Sequence, residues 1–144
     1  MHRHNPPSAL VSCLMVTKGT PERLPGLATA IACFKQQTYT PLELVIVTDS
    51  NDPDAPRRVE ALVNSIGAAD VRTISGKDGM TLGALRNLSM QLSAGAVLCQ
   101  WDDDDLHHPQ RVADQVARLM LGNVGDSTPV GEGVYEARIA FGPG

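Results

Sequence analysis

Residues 96–105 have the sequence Ala96-Val97-Leu98-Cys99-Gln100-Trp101-Asp102-Asp103-Asp104-Asp105. The apolar run after Gly95 predicts a strand that is buried in a sheet. The four carboxylates that follow it repel one another, because like charges a few ångströms apart oppose each other's ionisation. Folding alone does not require such a cluster, which is tolerated in open water or around a cation.

The acidic run has two interpretations. On an extended chain Asp102 and Asp104 point to the same side, as two hard oxygen ligands for Mg²⁺ or Mn²⁺ must. Alternatively, the run is a solvated turn that ends a strand, with Asp105 or His108 capping the next helix before Pro109. Its position favours the metal site, because open α/β sheets bind ligands at the carboxyl ends of their strands.

The rest of the chain alternates between strand and helix patterns. Apolar runs predict strands at 10–16, 42–47, 71–74 and 96–100, and amphipathic spacing predicts helices from Thr20, from Pro56 to Gly67, over 81–93 and from Pro109. This alternation predicts right-handed crossovers and a doubly wound, mostly parallel α/β sheet with helices on both faces.

The composition divides the chain into three segments. Residues 1–8 are expected to be a flexible amino terminus and residues 9–121 to form the folded domain. Residues 122–144 are rich in glycine and lack apolar periodicity, so a poorly ordered segment is expected there. The only regular structure expected in it is weak pairing between 134–135 and 139–141.

Length and charge exclude several classes of protein. A chain of 144 residues is long enough for one domain and too short for two. A net charge of −4 and an aromatic content of 3% argue against nucleic-acid binding. No segment resembles a membrane span or an export signal, and the three cysteines form no Cys-x-x-Cys pair, which is typical of reduced thiols in the cytoplasm.

Polar residues follow several of the predicted strands. Thr17, Lys18, Asp49 and Lys77 would gather with the acidic run along one rim of the sheet, which supports a nucleotide site. The glycine-rich motifs of dinucleotide and P-loop sites are absent, as is the Gly-x-Ser-x-Gly motif of hydrolases. An EF-hand is excluded because His108 stands where that loop needs glycine.

Five segments resemble, in order and spacing, the amino-terminal half of family 2 glycosyltransferases of the GT-A fold. They are 11–17 (VSCLMVT), 33–39 (CFKQQTY), 43–47 (ELVIV), 83–87 (GALRN) and 100–105 (QWDDDD) with Pro109. The resemblance covers about residues 9–121, which it identifies as a nucleotide-sugar-binding domain.

The resemblance implies a role for each matching residue on the nucleotide side. Thr17 and Asp49 would border the base, with the Asp49 carboxylate accepting a hydrogen bond from a ring N–H such as that of uracil. Asp102 would contact the ribose or bridge to the metal, and Asp103 would lie in the same nucleotide-sugar site.

The metal and the sugar are placed in the same way. Asp104, with Asp102, would ligate Mn²⁺ or Mg²⁺ against the diphosphate. Arg86 and Asn87 would lie near the sugar and phosphates, and Lys18 and Lys77 of the rim complete the expected site.

The sequence departs from the family pattern at two places. Ser50 follows Asp49 where the family often has a second aspartate, so nucleotide affinity or identity is expected to differ. The family also continues into an acceptor-binding half that supplies the general base, so the domain is expected to be truncated. Glu132 and Glu136 fit no pattern, and the general base stays unassigned.

The resemblance implies metal-assisted, inverting transfer of a sugar from a nucleoside diphosphate donor, most simply a UDP-sugar, to a saccharide or other hydroxyl acceptor. Polysaccharide biosynthesis in the cytoplasm or at the inner face of the membrane would be the setting.

A non-catalytic nucleotide-binding remnant, or a fragment that needs a partner, is the alternative, and an exposed core edge would favour a homo-oligomer. A sugar nucleotidyltransferase is less expected, because Lys18-Gly19-Thr20 is a poor substitute for its glycine-rich basic loop.

Overall fold

The computed structural model describes residues 9–49, 51–104, 106–120, 127–131 and 134–137. Within these ranges the strands, β1 to β6 in chain order, are Val11–Thr17, Leu42–Thr48, Val71–Ser75, Val97–Gln100, Ser127–Gly131 and Val134–Ala137. The helices, α1 to α4, are Leu24–Lys35, Ala55–Ile66, Leu82–Leu92 and Arg111–Met120, and a 3₁₀ turn at Pro21–Arg23 precedes α1.

The strands form one sheet in the order β3-β2-β1-β4-β6-β5. Every pair is parallel except β5 with β6, which is antiparallel. From β1 the chain adds β2 and β3 on one side and then returns to place β4 on the other side of β1. The prediction of a doubly wound, mostly parallel α/β sheet is therefore confirmed.

Strand β1 is buried on both faces, and its side chains alternate between two cores. Val11, Cys13 and Met15 belong to the larger core, which also contains residues of α1, α2 and α4. Leu14 belongs to a smaller core on the opposite face, where Met90 of α3 packs. The near-continuous apolar run at 10–16 reflects this double burial, since a strand covered on both faces has no polar side.

Most of the predicted helix ends agree with the structure to within about two residues. Thr81 caps α3 with its side chain, which accepts a hydrogen bond from the Ala84 N–H at 3.1 Å. Gly67 ends α2 with a left-handed φ of 73°, the conformation that favours glycine at this position. Of the residues described, none belongs to a helix with the length and apolarity to cross a membrane.

The carboxyl-terminal segment departs from the sequence pattern. No firm element was expected in 122–144, but β5 and β6 lie there, and β6 extends the parallel sheet beside β4. Short strands gain much of their stability from pairing with the rest of the sheet, so their own sequence carries little signal. Residues 139–141, the expected partner of 134–135, lie outside the described residues.

No disulfide joins Cys13, Cys33 and Cys99 in the structure. Cys13 and Cys99 are buried and face each other in register across β1 and β4, whereas Cys33 is partly exposed. Burial raises the pKa of Cys13 well above its ordinary value, and the hydrogen bond and charge of Cys99 add to that effect. Cys13 is therefore an unreactive thiol that serves packing.

A partly buried carboxylate joins three elements at the amino end of the sheet. Glu43 accepts hydrogen bonds from the Ser12 hydroxyl, from the Ala94 N–H at 2.7 Å and from Arg72 at 3.1 Å. Burial raises the pKa of Glu43, but these hydrogen bonds and the Arg72 charge outweigh burial, and the pKa lies below its ordinary value. The carboxylate thus stabilises the end of the sheet opposite the acidic run.

Replacing Glu43 should remove a stabilisation that depends on pH. Because the pKa is lower in the folded state, the carboxylate stabilises the fold above its unfolded pKa, about 4.3, and this contribution is lost as the pH falls through the folded pKa. Glu43→Gln should cost about 1.5–3 kcal/mol at pH 7 and less at pH 3, measured by urea unfolding. Glu60→Gln, on the exposed side of α2, is the matched control. An equal cost of Glu43→Gln at both pH values would contradict this account.

Gly95 permits a close contact between the α3–β4 loop and β1. A Cβ at this position would lie 2.5 Å from Ser12 Oγ and 2.7 Å from Ser12 N. Gly95→Ala should therefore destabilise the fold by about 1–3 kcal/mol in thermal or urea unfolding. Gly83→Ala is the control, because it lies exposed in α3 with its nearest contact at 3.9 Å and should stabilise the helix by about 0.5–1 kcal/mol. Equal effects of the two substitutions would rule out the close contact.

Candidate functional site

The loops after β1, β2, β3 and β4 leave the sheet at the same edge, because these strands are parallel. Between β1 and β4 the winding of the chain reverses direction. Ligands of open α/β sheets bind in the crevice at such a switch point, outside the carboxyl ends of the strands. The residues that follow β1 and β4 therefore form the candidate site.

The acidic turn, by which we mean residues 102–104, lies at this switch point. Asp103 points inward and is 8% exposed, Asp102 is partly buried, and Asp104 is exposed. The Thr17 hydroxyl donates a hydrogen bond to Asp103 Oδ2 at 2.7 Å, and Arg23 Nη1 lies 3.6 Å from Asp103 Oδ1. The structure thus joins two of the predicted site residues, Thr17 and Asp103, by a direct contact.

Trp101 anchors the start of the acidic turn in the core. Its side chain is fully buried, its indole N–H donates to the Ala30 carbonyl of α1 at 3.0 Å, and its backbone N–H donates to Leu14 at 2.8 Å. The ring also meets Phe34 edge to face, with centroids 6.4 Å apart. A large side chain held by this many contacts fixes where the chain leaves β4.

His107 and Arg111 hold the other end of the turn. The His107 ring stacks on Trp101 with centroids 3.8 Å apart, and the Arg111 guanidinium lies 4.8 Å above the same indole. Arg111 also donates to the Gln100 carbonyl at 2.6 Å and contacts His107 Nδ1. Since arginine can only donate, Nδ1 accepts and the ring proton sits on Nε2, which donates to the Asp102 carbonyl at 3.3 Å.

The loops after β1 and β2 form the side of the site expected to bind the base. The Asp49 carboxylate is partly exposed and accepts hydrogen bonds from the Asn51 backbone N–H at 2.9 Å and from its side chain at 3.3 Å. Arg58 of α2 links the two loops, because it donates to the Gly19 carbonyl at 3.1 Å and pairs with Asp52. The Asp54 N–H and the Arg58 guanidinium hold the pKa of Asp52 below its ordinary value.

The remaining predicted site residues are exposed. Lys18 follows β1 and Lys77 follows β3, and both side chains face solvent. Arg86 and Asn87 are exposed on the second turn of α3. The N–H groups of these four side chains therefore face solvent.

Several contacts at the site were not anticipated from the sequence. Arg23 and Arg58 contact it from elements distant in sequence, and nothing local to either residue indicates this. His107 and Arg111 could have been found, because they are four residues apart beside the start of a helix. His108, one of two predicted caps, accepts a hydrogen bond from the Gln110 N–H at 3.1 Å, while Asp105 lies outside the described residues.

A divalent cation at the acidic turn would need oxygen ligands from its carboxylates. Among the described residues no group of three or more His, Cys, Asp or Glu side chains is arranged to hold a metal. Asp102 and Asp104 are hard oxygen donors, but residues 103–104 form a turn, so the extended chain that was expected to point both side chains to the same side is not present. This set fits a Mg²⁺-like ion that takes one or two protein carboxylates and completes its shell with water and substrate phosphates.

The family model for glycosyl transferase family 2 matches residues 12–135. The chain belongs to this family. The match favours the resemblance drawn from the sequence over a sugar nucleotidyltransferase. No protein in the comparison with curated proteins gives a match.

Solved structures of S. aureus TarS share the fold. Ligand-free TarS has a TM-score of 0.61 and 17% identity, and the match covers 78% of this chain and 33% of TarS. Its complex with UDP has a TM-score of 0.59 and 14% identity, covering 81% and 33% of the two chains. The complex with UDP-GlcNAc has a TM-score of 0.59 at 17% identity, covering 78% and 32%. The family member described here thus has a GT-A-like α/β fold and spans about a third of the length of these neighbours.

Arg111 is expected to control the environment of Trp101. Arg111→Met keeps the length of the side chain but removes the donors to Gln100 and His107, so the end of the turn should loosen. Trp101 is the only tryptophan, and its emission maximum should shift while the protein stays folded by circular dichroism. Arg57→Met on the exposed face of α2 should leave the emission unchanged. An unshifted maximum in Arg111→Met would show that these contacts do not order the turn.

Proposed function

We propose that this chain is the nucleotide-sugar-binding part of a glycosyltransferase that transfers a sugar from a nucleoside diphosphate donor to a saccharide or other hydroxyl acceptor. The observation that carries the proposal is the position of the acidic turn, at the switch point of the sheet in a chain of glycosyl transferase family 2. The TarS complexes with UDP and UDP-GlcNAc support a uridine nucleotide as the donor.

Asp49 is proposed to recognise the base. An ionised carboxylate only accepts hydrogen bonds, so it suits a ring N–H such as that of uracil. The contacts from Asn51 orient the carboxylate before the ligand arrives, which lowers the entropic cost of binding. Ser50, which follows Asp49 in place of an aspartate, removes one negative charge from this side.

Asp102 and Asp104 are proposed to hold Mn²⁺ or Mg²⁺ together with the donor's diphosphate. Bound there, the ion would act as a Lewis acid that offsets the charge developing on the leaving nucleoside diphosphate. Asp102 would also reach the ribose. The exposure of Asp104 leaves its oxygens accessible from solvent, where the donor enters.

The cationic and amide side chains of the rim are proposed to contact the phosphates and the sugar. Lys18, Lys77 and Arg86 would reduce the repulsion between the phosphates and the acidic turn, and Asn87 would hydrogen-bond to the sugar. All four side chains are exposed, so they can move toward the donor without breaking the core.

Transfer itself requires a base for the acceptor hydroxyl. In the proposed inverting reaction the hydroxyl oxygen attacks the anomeric carbon, the bond to the diphosphate oxygen breaks, and the hydroxyl proton passes to a base. We assign no residue of this chain to that role. If this chain lacks such a base, transfer by it alone should be slow, because losing a positioned base typically costs about 10²–10⁴-fold in rate. We place the reaction in the cytoplasm.

Calorimetric titration tests the donor site. UDP should bind the folded chain more tightly with Mn²⁺ than without it, and Asp104→Ala should abolish that difference, because it removes a proposed ligand of the ion. Asp70→Ala, an exposed aspartate before β3 at the opposite end of the sheet, should retain the difference. GDP should bind more weakly than UDP. Failure of the folded wild-type chain to bind either nucleotide would refute the proposal.

A further inference from the structure

We propose that Asp103 is a positioning residue that fixes the acidic turn to β1 and α1, and so presents Asp102 and Asp104 to the donor. This inference rests on the proposed function and gives Asp103 and Thr17 a role different from the direct nucleotide contact that their sequence pattern predicts. Four observations carry it: the burial of Asp103, the use of both its oxygens, the directional hydrogen bond from Thr17, and the contact with α1.

Asp103 is the buried member of the acidic turn. It is 8% exposed, and its hydrogen-bond partner Thr17 is 2% exposed. A carboxylate is taken out of water at a large cost unless its oxygens are hydrogen-bonded or paired. Asp104, one residue later, is exposed and carries no such cost. The two neighbouring aspartates therefore occupy different environments.

Both oxygens of Asp103 are engaged within the protein. Oδ2 accepts the hydrogen bond from Thr17 at 2.7 Å, and Oδ1 lies 3.6 Å from Arg23 Nη1. A cation or nucleotide that approached Asp103 would meet a buried carboxylate whose oxygens already face Thr17 and Arg23. It could approach the exposed carboxylate of Asp104 directly.

The hydrogen bond from Thr17 has a defined direction. The Thr17 oxygen accepts from the Gly19 N–H at 3.2 Å, and its single hydrogen is donated to Asp103. Thr17 is the last residue of β1, the strand that lies between β2 and β4. The acidic turn is thereby joined to a strand that is buried on both faces of the sheet.

The backbone of the turn also packs on the first turn of α1. A Cβ at Gly26 would lie 3.1 Å from the Asp103 carbonyl oxygen and 3.9 Å from Asp104 Cα. The absence of a side chain at Gly26 allows this approach. The turn is thus held by β1 through a side chain and by α1 through its backbone.

These contacts matter for the proposed cation because its ligands must be held within about 0.5 Å of a productive geometry. Groups that orient metal ligands typically contribute about 10–100-fold to metal affinity. Loss of the contact between Thr17 and Asp103 should therefore weaken the binding of UDP in the presence of Mn²⁺ by a factor in this range. Binding of UDP without Mn²⁺ should change little, because neither side chain would contact the nucleotide.

The test compares Thr17→Val, Thr17→Ser and Asp103→Asn with the wild-type chain. Valine keeps the shape of threonine but removes the hydroxyl, serine restores the hydroxyl, and asparagine removes the charge facing Arg23. Thr29→Val, on the exposed side of α1, is the matched control. Thermal unfolding identifies any variant that does not fold. Thr17→Ser is the variant in which residue 17 keeps its hydroxyl, and the other variants are compared with it.

The first measurement is amide hydrogen exchange of residues 102–104 in the ligand-free chain. Exchange should be faster in Thr17→Val and Asp103→Asn than in wild type, and near the wild-type rate in Thr17→Ser and Thr29→Val. Unchanged exchange in Thr17→Val would overturn the inference. Because no nucleotide is present, this result stands whether or not the chain binds UDP.

The second measurement is the calorimetric affinity for UDP with and without Mn²⁺. A loss of about 10–100-fold confined to the Mn²⁺ series in Thr17→Val, with recovery in Thr17→Ser, would support the positioning role. An equal loss in both series would show that Thr17 contacts the nucleotide directly and would overturn it. Absence of UDP binding by the wild-type chain would refute the proposed function, and the exchange rates would still decide whether Asp103 holds the turn.

Discussion

Repulsion between adjacent carboxylates is the constraint on which the functional edge of this structure depends. Consecutive aspartates cannot all face one volume without raising each other's pKa and opposing ionisation. The fold separates them: Asp103 points inward to Thr17 and Arg23, and Asp104 faces solvent. The hydrogen bond from Thr17 and the nearby Arg23 guanidinium offset the cost of burying the Asp103 carboxylate.

This arrangement requires that the turn begin and end at fixed points. Trp101 supplies the first, because its ring fills the core and its indole N–H is bonded to α1. Arg111 and His107 supply the second by packing on that same indole. Trp101 therefore orders both ends of a short loop. Few other aromatic side chains are present in this chain, whose aromatic content is only 3%.

The order of the strands brings the chemistry together. Placing β4 beside β1 puts the acidic turn next to Thr17, although the two are 86 residues apart in the chain. On the other side of β1, Arg58 joins the loops that carry Lys18 and Asp49. The expected base side and the expected phosphate side thus meet at the end of β1.

The sequence by itself determined the helices and strands from β1 to α4 and the position of the acidic run after β4. Apolar runs buried on both faces, capping at Thr81 and the helix stop at Gly67 are local signals, because burial and backbone conformation act on neighbouring residues. Strand β5 was not predicted, and β6 was anticipated only as weak pairing at 134–135, because short strands take much of their stability from the sheet they join. Only the tertiary structure decided which aspartate turns inward, since the partners Thr17, Arg23 and Gly26 come from distant parts of the chain. A run of identical residues carries no internal information about their different environments, and long-range packing alone distinguishes them.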